Sequence, residues 1–284
     1  MSRGVGLVME GGAMRGMFTA GILDVFMEND IEFPAAVGVS AGAAFGCNLK
    51  SRQIGRVIRY NKRFCTDKRY CSLRSLIRTG DLYGADFCYR EIPEELDLFD
   101  KEAYAQNPMA FWVVATDVFT GKPVYKRLDK VDENCYLWMR ASASMPLVSK
   151  PVEVEGYTLL DGGMSDGIPL RFMQKKGYEK NVVILTRARD YIKPSSDALL
   201  MKAGLHKYPE MVRVMLERHK RYAFQREYVF ACERQGSALV LCPDAALRLS
   251  RTEHDPEKLQ AAYDEGRKVA LRELEKVKEY LSIE

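Results

Sequence analysis

Ser40 stands at the centre of Gly38-Val39-Ser40-Ala41-Gly42, a GxSxG pentapeptide. A serine hydroxyl can act as a nucleophile when it is presented on a sharp strand-to-helix turn, and flanking glycines let strand and helix approach without Cβ clashes. At average Gly and Ser usage a chain of this length carries such a pentapeptide by chance about one time in ten, so its surroundings decide its weight. An apolar run at residues 36–39 precedes the serine, and the small residues at 41–47 can open a helix. That is the strand–turn–helix order of a nucleophile elbow; a plain glycine-rich βα turn is the alternative.

A second cluster, Glu10-Gly11-Gly12-Ala13-Met14-Arg15-Gly16, falls between the first apolar run and the first helical pattern. Unsatisfied N–H groups at a helix start favour negative charge, so this loop suits a phosphate or a developing oxyanion. Spacing excludes two nucleotide loops. A Walker A loop needs Gly-Lys-Ser/Thr after its second glycine, whereas Met17 and Phe18 follow Gly16; the dinucleotide GxGxxG needs glycine where Ala13 stands.

The third signal is Asp161-Gly162-Gly163, after Leu159-Leu160. Asp-Gly alone is a common turn. It gains weight from the scarcity of other bases, because serine hydrolases ordinarily use a histidine oriented by a carboxylate. The three histidines are His206, His219 and His254. The first two fall in a charged helical stretch. His254, in Arg251-Thr252-Glu253-His254-Asp255-Pro256, reads as a solvated residue at a helix start, with a buried triad position as the alternative. The sequence thus hints at a serine whose base is a carboxylate.

Taken in order, the Gly-Gly-Ala-Met-Arg-Gly loop, GxSxG and Asp-Gly-Gly resemble the patatin-like phospholipase family. Ala115-Thr116-Asp117, Thr120-Gly121, Arg140-Ala141-Ser142-Ala143-Ser144-Met145-Pro146 and Asp166-Gly167-Ile168-Pro169 are similar to its intervening segments, and the resemblance covers residues 4–190. It implies a Ser–Asp dyad without histidine: Ser40 as nucleophile on the elbow of Gly38 and Gly42, Asp161 as base, and an oxyanion hole around Gly11, Gly12, Ala13, Arg15 and Gly16. The family more often has Ala at the position of Gly163, after Gly162. Its first loop often opens with a glycine triplet; Ala13 takes the third place, which backbone donors tolerate if its φ stays negative. The implied activity is hydrolysis of carboxylic esters of phospholipids or related fatty-acyl esters through an acyl-enzyme. Acyl transfer by the same dyad and lipid binding without turnover are the alternatives. The residues require no cofactor, metal or nucleotide.

Arg15 has two readings. It steers an anionic headgroup or fixes the loop, or it is a solvated first-turn residue, although its charge is unfavourable at a helix N-terminus. Arg52, Arg56, Arg59 and Arg63 follow helical spacing on one face, with Ile54, Val57, Ile58 and Phe64 largely on the other; Lys68, Arg69, Arg74 and Arg78 continue the excess. Such a face can meet an anionic lipid surface, so peripheral membrane contact is an expectation beside the plainer one of a solvated helix. A second run, Arg213, Arg218, Lys220, Arg221 and Arg226, is interrupted by Glu210, Glu217 and Glu227. It reads as a surface helix rather than a nucleic-acid site.

These residues need a scaffold. The chain has 284 residues, 47% hydrophobic and 29% charged, which supplies an ample core and excludes disorder, collagen and a disulfide-stapled mini-domain. Lys+Arg 43 against Asp+Glu 39 leaves +4, too slight to indicate a nucleic-acid partner. Seven scattered cysteines without a CxxC pair read as reduced, mostly buried thiols rather than a disulfide framework or zinc ribbon. Apolar runs at residues 5–9, 36–39, 111–115, 182–185 and 238–241 read as strands, and their continuous rather than alternating hydrophobicity predicts cover on both faces. Helical patterns lie between them, at 17–26 and from Pro256 through Leu281 behind Asp255 as N-cap. Residues 152–157 alternate around Glu155-Gly156 and predict a hairpin on the main sheet.

The expected fold is α/β: a three-layer α/β/α sandwich with a mainly parallel central sheet. Residues 1–284 read as one domain, with the motif-bearing core at 4–190 and a C-terminal strand and helices at 191–284. Met1-Ser2-Arg3-Gly4 runs straight into the first strand, too short an apolar run for a signal peptide, and the longest low-charge stretch, at 33–47, falls short of the ~20 residues that span a bilayer. A cytoplasmic protein is the expectation.

Overall fold

A computed structural model describes residues 4–282. Met1 to Arg3, read above as leading into the first strand, and the last two residues of the 1–284 span lie outside the described residues. The order is β1 (Gly6–Met9), α1 (Gly16–Glu28), β2 (Ala35–Val39), α2 (Ala41–Lys50), α3 (Arg56–Phe64), α4 (Leu73–Thr79), α5 (Lys101–Gln106), β3 (Ala110–Asp117), β4 (Pro123–Arg127), α6 (Glu133–Ala143), β5 (Val152–Val154), β6 (Tyr157–Asp161), α7 (Leu170–Lys175), β7 (Asn181–Ile184), α8 (Ala198–Gly204), α9 (Pro209–Arg234), β8 (Ala238–Leu241), α10 (Pro256–Arg272) and α11 (Leu274–Ser282). A π-helical segment, Phe87–Leu96, contains Pro93.

The five apolar runs form the parallel heart of an eight-stranded mixed sheet, in the order β3-β2-β1-β7-β8. Every residue of β1, β2, β7 and β8 is buried, as strands covered on both faces must be. On one face Leu7, Met9, Phe111 and Ile184 pack under Phe18 and Ile22 of α1, Trp138 of α6 and Val269 of α10. On the other, Val37, Val39, Val114 and Val183 meet Met173 of α7 and Tyr222 and Val229 of α9. The result is the three-layer α/β/α arrangement. The C-terminal segment contributes β8, paired with β7, to the same sheet.

Asp255 caps α10, its carboxylate accepting the N–H groups of Glu257 and Lys258. The final helical pattern does not run unbroken to Leu281. It breaks at Glu273, and α11 turns Val277 fully into the core. The hairpin forms at Glu155-Gly156, both with positive φ (49° and 81°), the combination of a tight two-residue turn.

Sheet register sets the position of the site. β4 takes one edge of β3 along residues 112–116. β2 pairs with the other edge as far as Val39 opposite Val114. A strand residue has only two edges, so β6, which pairs with residues 115–117 and ends with Asp161 opposite Ala115, occupies the edge that β2 leaves. The carboxyl ends of β2 and β6 therefore face each other. Ser40 follows one, and Asp161 ends the other.

Candidate active site

Ser40 caps the N-terminus of α2 with φ 55° and ψ −121°, a conformation that a non-glycine residue holds only when its surroundings impose it. Those surroundings are close-packed backbone. A Cβ on Gly38 would collide with the Gly42 carbonyl, and one on Gly42 with the Met9 carbonyl of the neighbouring strand. The Ser40 N–H donates to Ser142 Oγ at 2.9 Å, and Ser142 Oγ donates to the Val114 carbonyl at 2.6 Å. This buried bridge ties the elbow to β3 through α6.

Asp161 is 3% exposed. Burial pushes its carboxyl above the usual carboxylate range; the neighbouring Ser40 hydroxyl, the Arg218 guanidinium, the Gly163 N–H and the Lys193 ammonium all oppose that rise. The Gly163 N–H donates to Asp161 Oδ1 at 2.7 Å. Arg218 Nε in turn donates to the Gly163 carbonyl at 2.7 Å, so α9 holds the Asp-Gly-Gly turn from outside. The Asp161 N–H donates to the Ser144 carbonyl and its own carbonyl accepts from Thr116 Oγ1, both at 2.8 Å.

The first loop lies against the elbow. A Cβ on Gly11 would come within 2.8 Å of the Val39 carbonyl, so only glycine fits this approach. Ala13 departs from the expectation of a negative φ: its φ is 49°, in the left-handed region that costs an L-residue about 1–2 kcal/mol. Ala13 opens a 3-10 helix, Ala13–Arg15, that runs into α1 at Gly16. The backbone N–H groups of Gly12 and Ala13 donate to no protein acceptor among the described residues. Glu10 anchors the start of the loop, accepting the Thr186 N–H at 2.6 Å and the Tyr222 hydroxyl. Arg15 is buried, which overturns its reading as a solvated residue; burial and then Arg187 bring its guanidinium down to about 10.

Two chambers meet at Ser40, Ala13 and Met145. One is apolar and runs along α2 past Phe45 and Cys47 toward Tyr104, between the π-helical segment and α6. From Ser40 to Cys47 this is about 10 Å at the helical rise of ~1.5 Å per residue. The other is polar. It holds Asp161 and Glu10 together with Arg15, Arg187, Lys193, Arg218 and Arg251.

The structure brings Ser40, Asp161 and the Gly11–Ala13 loop together, and places no histidine in either chamber. His254 is exposed, with Nδ1 against the Cys65 carbonyl, and His206 is also exposed. The basic runs differ from expectation. α3 begins at Arg56, after Arg52, and Arg56 is only 4% exposed, paired with Asp97; Arg59 holds the same carboxylate at 2.8 Å. Arg52 pairs with Asp30 and Glu32. These charges staple loops instead of forming one open face. The second run divides: Arg213 pairs outward with Glu210, whereas Arg218, Arg221 and Arg226 turn inward to the carbonyls of Gly163, Met164 and Ala188.

Sequence reasoning missed Arg187, Lys193, Arg218 and Arg251. Only Arg187 carried a signal, a cation just past the carboxyl end of a parallel strand, where α/β sheets bind ligands. All seven cysteines are free and all but Cys88 are buried. Among the described residues no group of three or more His, Cys, Asp or Glu side chains is placed to hold a metal ion, and no helix is long and apolar enough to cross a membrane.

Residues 7–173 match the family model for patatin-like phospholipase, and residues 208–282 match a domain of unknown function, DUF6363. The chain is 33% identical over 199 residues to the uncharacterized protein YjjU of Escherichia coli (strain K12), covering 64% of this chain and 52% of that one. It is 26% identical to the uncharacterized NTE family protein Rv1063c of Mycobacterium tuberculosis, over 58% of this chain and 44% of that one. It is also 29% identical to lysophospholipase NTE1 of Scheffersomyces stipitis, over 61% of this chain but 11% of that one. The chain thus spans about half the length, or less, of these relatives. A solved structure, VipD from Legionella pneumophila, aligns over 96% of this chain and 67% of that one, with TM-score 0.49 and 12% identity. The match across residues 7–173, more than half of the sequence and including the loop, the elbow and the Asp-Gly-Gly turn, makes this chain a member of the patatin-like phospholipase family.

Proposed function

We propose that this protein hydrolyses carboxylic esters of phospholipids or related fatty-acyl esters through a Ser40–Asp161 dyad and an acyl-enzyme. The observation that carries the reading is the junction itself. Ser40 and Asp161 both line the polar chamber, where it meets an apolar chamber and free backbone donors, and this supports the pairing of the two. Asp161 accepts the Ser40 proton as Oγ attacks the acyl carbonyl, and the Gly12 and Ala13 N–H groups receive the oxyanion. Asp161 then returns the proton to the leaving alcohol, and water repeats the cycle on the acyl-enzyme. An ordinary aspartate, near ~3.9, is a weak base for an alcohol, so the burial that raises Asp161 serves the chemistry, and esters are favoured over amides.

Contact with a lipid surface belongs to the same proposal, carried by apolar side chains. Leu73 and Ile77 of α4 and Leu199 and Leu200 of α8 are exposed. Both helices adjoin residues 147–150, next to Met145 at the mouth of the chambers: the Gly80 that ends α4 packs on Lys150, and Gly204 of α8 on Leu147.

The test is fatty-acid release from a lysophospholipid by wild type and Ser40→Ala, with a fluorophosphonate probe in parallel. Release is expected to fall by roughly 10⁴-fold or more in the variant, with labelling lost. Undiminished release from Ser40→Ala would remove the dyad. Transfer of the acyl chain to added glycerol in place of water would make the protein an acyltransferase, and ester binding without turnover would make it a lipid-binding protein.

A further inference from the structure

The polar chamber carries more positive charge than ester hydrolysis uses. Arg15, Arg187, Lys193, Arg218 and Arg251 line it, against Glu10 and Asp161 alone. Several cations elsewhere are paired, as Arg189 is with Glu233, Arg267 with Glu28 and Arg272 with Asp244. None of the five chamber cations has a carboxylate within salt-bridge distance among the described residues. The two acids are turned to other work: Glu10 accepts from Thr186 and Tyr222, and Asp161 accepts from Gly163 and faces Ser40.

Aromatic faces hold two of these cations. Lys193 Nζ lies 4.5 Å from the centre of the Tyr222 ring, and the Arg187 guanidinium 4.2 Å from that of Tyr191. Arg15 is nine-tenths buried and its Nε has no hydrogen-bond partner. Arg187, Lys193 and Arg218 are half-buried and Arg251 lies exposed at the rim, so like charges are drawn together partly out of water, which is costly unless an anion joins them.

We propose that the polar chamber is a phosphomonoester subsite, so that the preferred substrate is a fatty-acyl ester whose alcohol part carries a dianionic phosphate held by Arg187, Lys193, Arg218 and Arg251. The proposal rests on the ester-hydrolase reading and specifies its substrate. A phosphomonoester brings about −1.5 to −2 charge at pH 7 and three acceptor oxygens suited to arginine forks. A choline-type headgroup would instead place a cation among five others, and an uncharged glycerol would leave the excess of positive charge over Glu10 and Asp161 unmet. The geometry fits a single molecule cut at the junction, acyl chain in the apolar chamber and phosphate in the polar one, with the ester at Ser40. The four phosphate-holding residues all lie beyond Asp161, outside the three motifs that would do the chemistry, so headgroup choice and bond cleavage reside in different parts of the chain.

Lys193 reports on the site. Burial, then Arg218, bring it down to about 7, with Glu10 opposing and Arg251 and Arg187 adding to the fall; Arg15, Asp161 and Tyr222 complete its charged and titratable surroundings. A bound phosphate keeps its proton on, so affinity for the phosphate ester falls as pH rises through neutrality.

The experiment compares a short-chain 1-acylglycerol 3-phosphate, the matched choline phosphodiester and the matched uncharged acylglycerol. For wild type, kcat/KM for the phosphate ester should exceed both others by roughly tenfold or more, and the Lys193→Gln/Arg251→Gln double variant should bring that ratio toward one. Calorimetric titration of Ser40→Ala with the phosphate ester, the acylglycerol and inorganic phosphate reads binding without turnover, and the phosphate ester should bind tightest. Equal kcat/KM for all three esters, or an undiminished ratio in the double variant, would overturn the subsite and leave the hydrolase reading standing. Inorganic phosphate binding as tightly as the ester would assign the chamber to free phosphate and overturn the headgroup proposal. Selective binding by Ser40→Ala with no hydrolysis by wild type would support the subsite while the hydrolase reading failed.

Discussion

The apolar chamber and the polar chamber share Ser40 but are built by opposite means. The first is walled by side chains such as Phe45, Tyr60, Ile92 and Met139. Its attraction for a chain is non-directional and scales with apolar area, so no single wall residue decides it. The second depends on a few charged groups set at the ends of strands and on α9, and each is individually consequential. Placing the nucleophile at their boundary suits an amphipathic ester, whose scissile bond lies where its own polarity changes.

The largest effect of a substitution is expected at the junction. Asp161→Asn keeps the turn's shape but removes the proton acceptor, and esterase turnover should fall by roughly 10³–10⁴-fold, as when a triad carboxylate is made neutral. Near-wild-type rates with an unchanged circular dichroism spectrum would show that another group takes the proton. On the apolar side, Ala44→Phe narrows the chamber near α2. Shutting out about three methylenes at ~0.8 kcal/mol each should cost long-chain esters roughly 50-fold in kcat/KM and short-chain esters little. Equal losses at all chain lengths would place the acyl chain elsewhere.

On the polar side, Arg218→Gln tests the link between the chambers with an uncharged ester as substrate. Asp161 must be ionised to accept a proton, so kcat/KM rises with pH through its pKa. Burial raises that pKa and Arg218 lowers it, so loss of Arg218 raises it further and the acid limb of the profile moves to higher pH. A limb that stays put would disconnect α9 from the dyad. The smallest effect is expected at Ala13→Gly. Relief of about 1 kcal/mol of left-handed strain offsets a chain-entropy cost of ~0.5–1 kcal/mol, so thermal stability should hold, whereas a β-branched residue there should lower it. A marked loss of Tm in Ala13→Gly would show that the alanine methyl does packing that its φ does not suggest.

The two sides also differ in how far the sequence announces them. The five strand runs were legible because residues buried on both faces must be apolar throughout, and β8 matches its run end to end. Ser40 and Gly42 were legible because close backbone approach admits few residue types. The register that puts β6 on the edge vacated by β2 was not, since pairing across more than a hundred residues leaves no local trace. Nor could spacing reveal that Arg56 is buried against Asp97 while Arg218 faces Asp161. Both sit in runs that look like solvated helix faces, and only the tertiary partner decides which side of a helix faces in. The break at Glu273 was equally hidden, because the apolar spacing continues across it.

Hydrolysis by the proposed route requires an ester to pass its acyl group to Ser40. Peptide mapping by mass spectrometry after rapid acid quench of wild type with a long-chain fatty-acyl ester addresses it most directly. An acyl adduct is expected on the peptide containing Ser40, and none on that of Ser40→Ala. Steady turnover with the adduct on a different residue, or with Ser40→Ala turning over as fast as wild type, would contradict it.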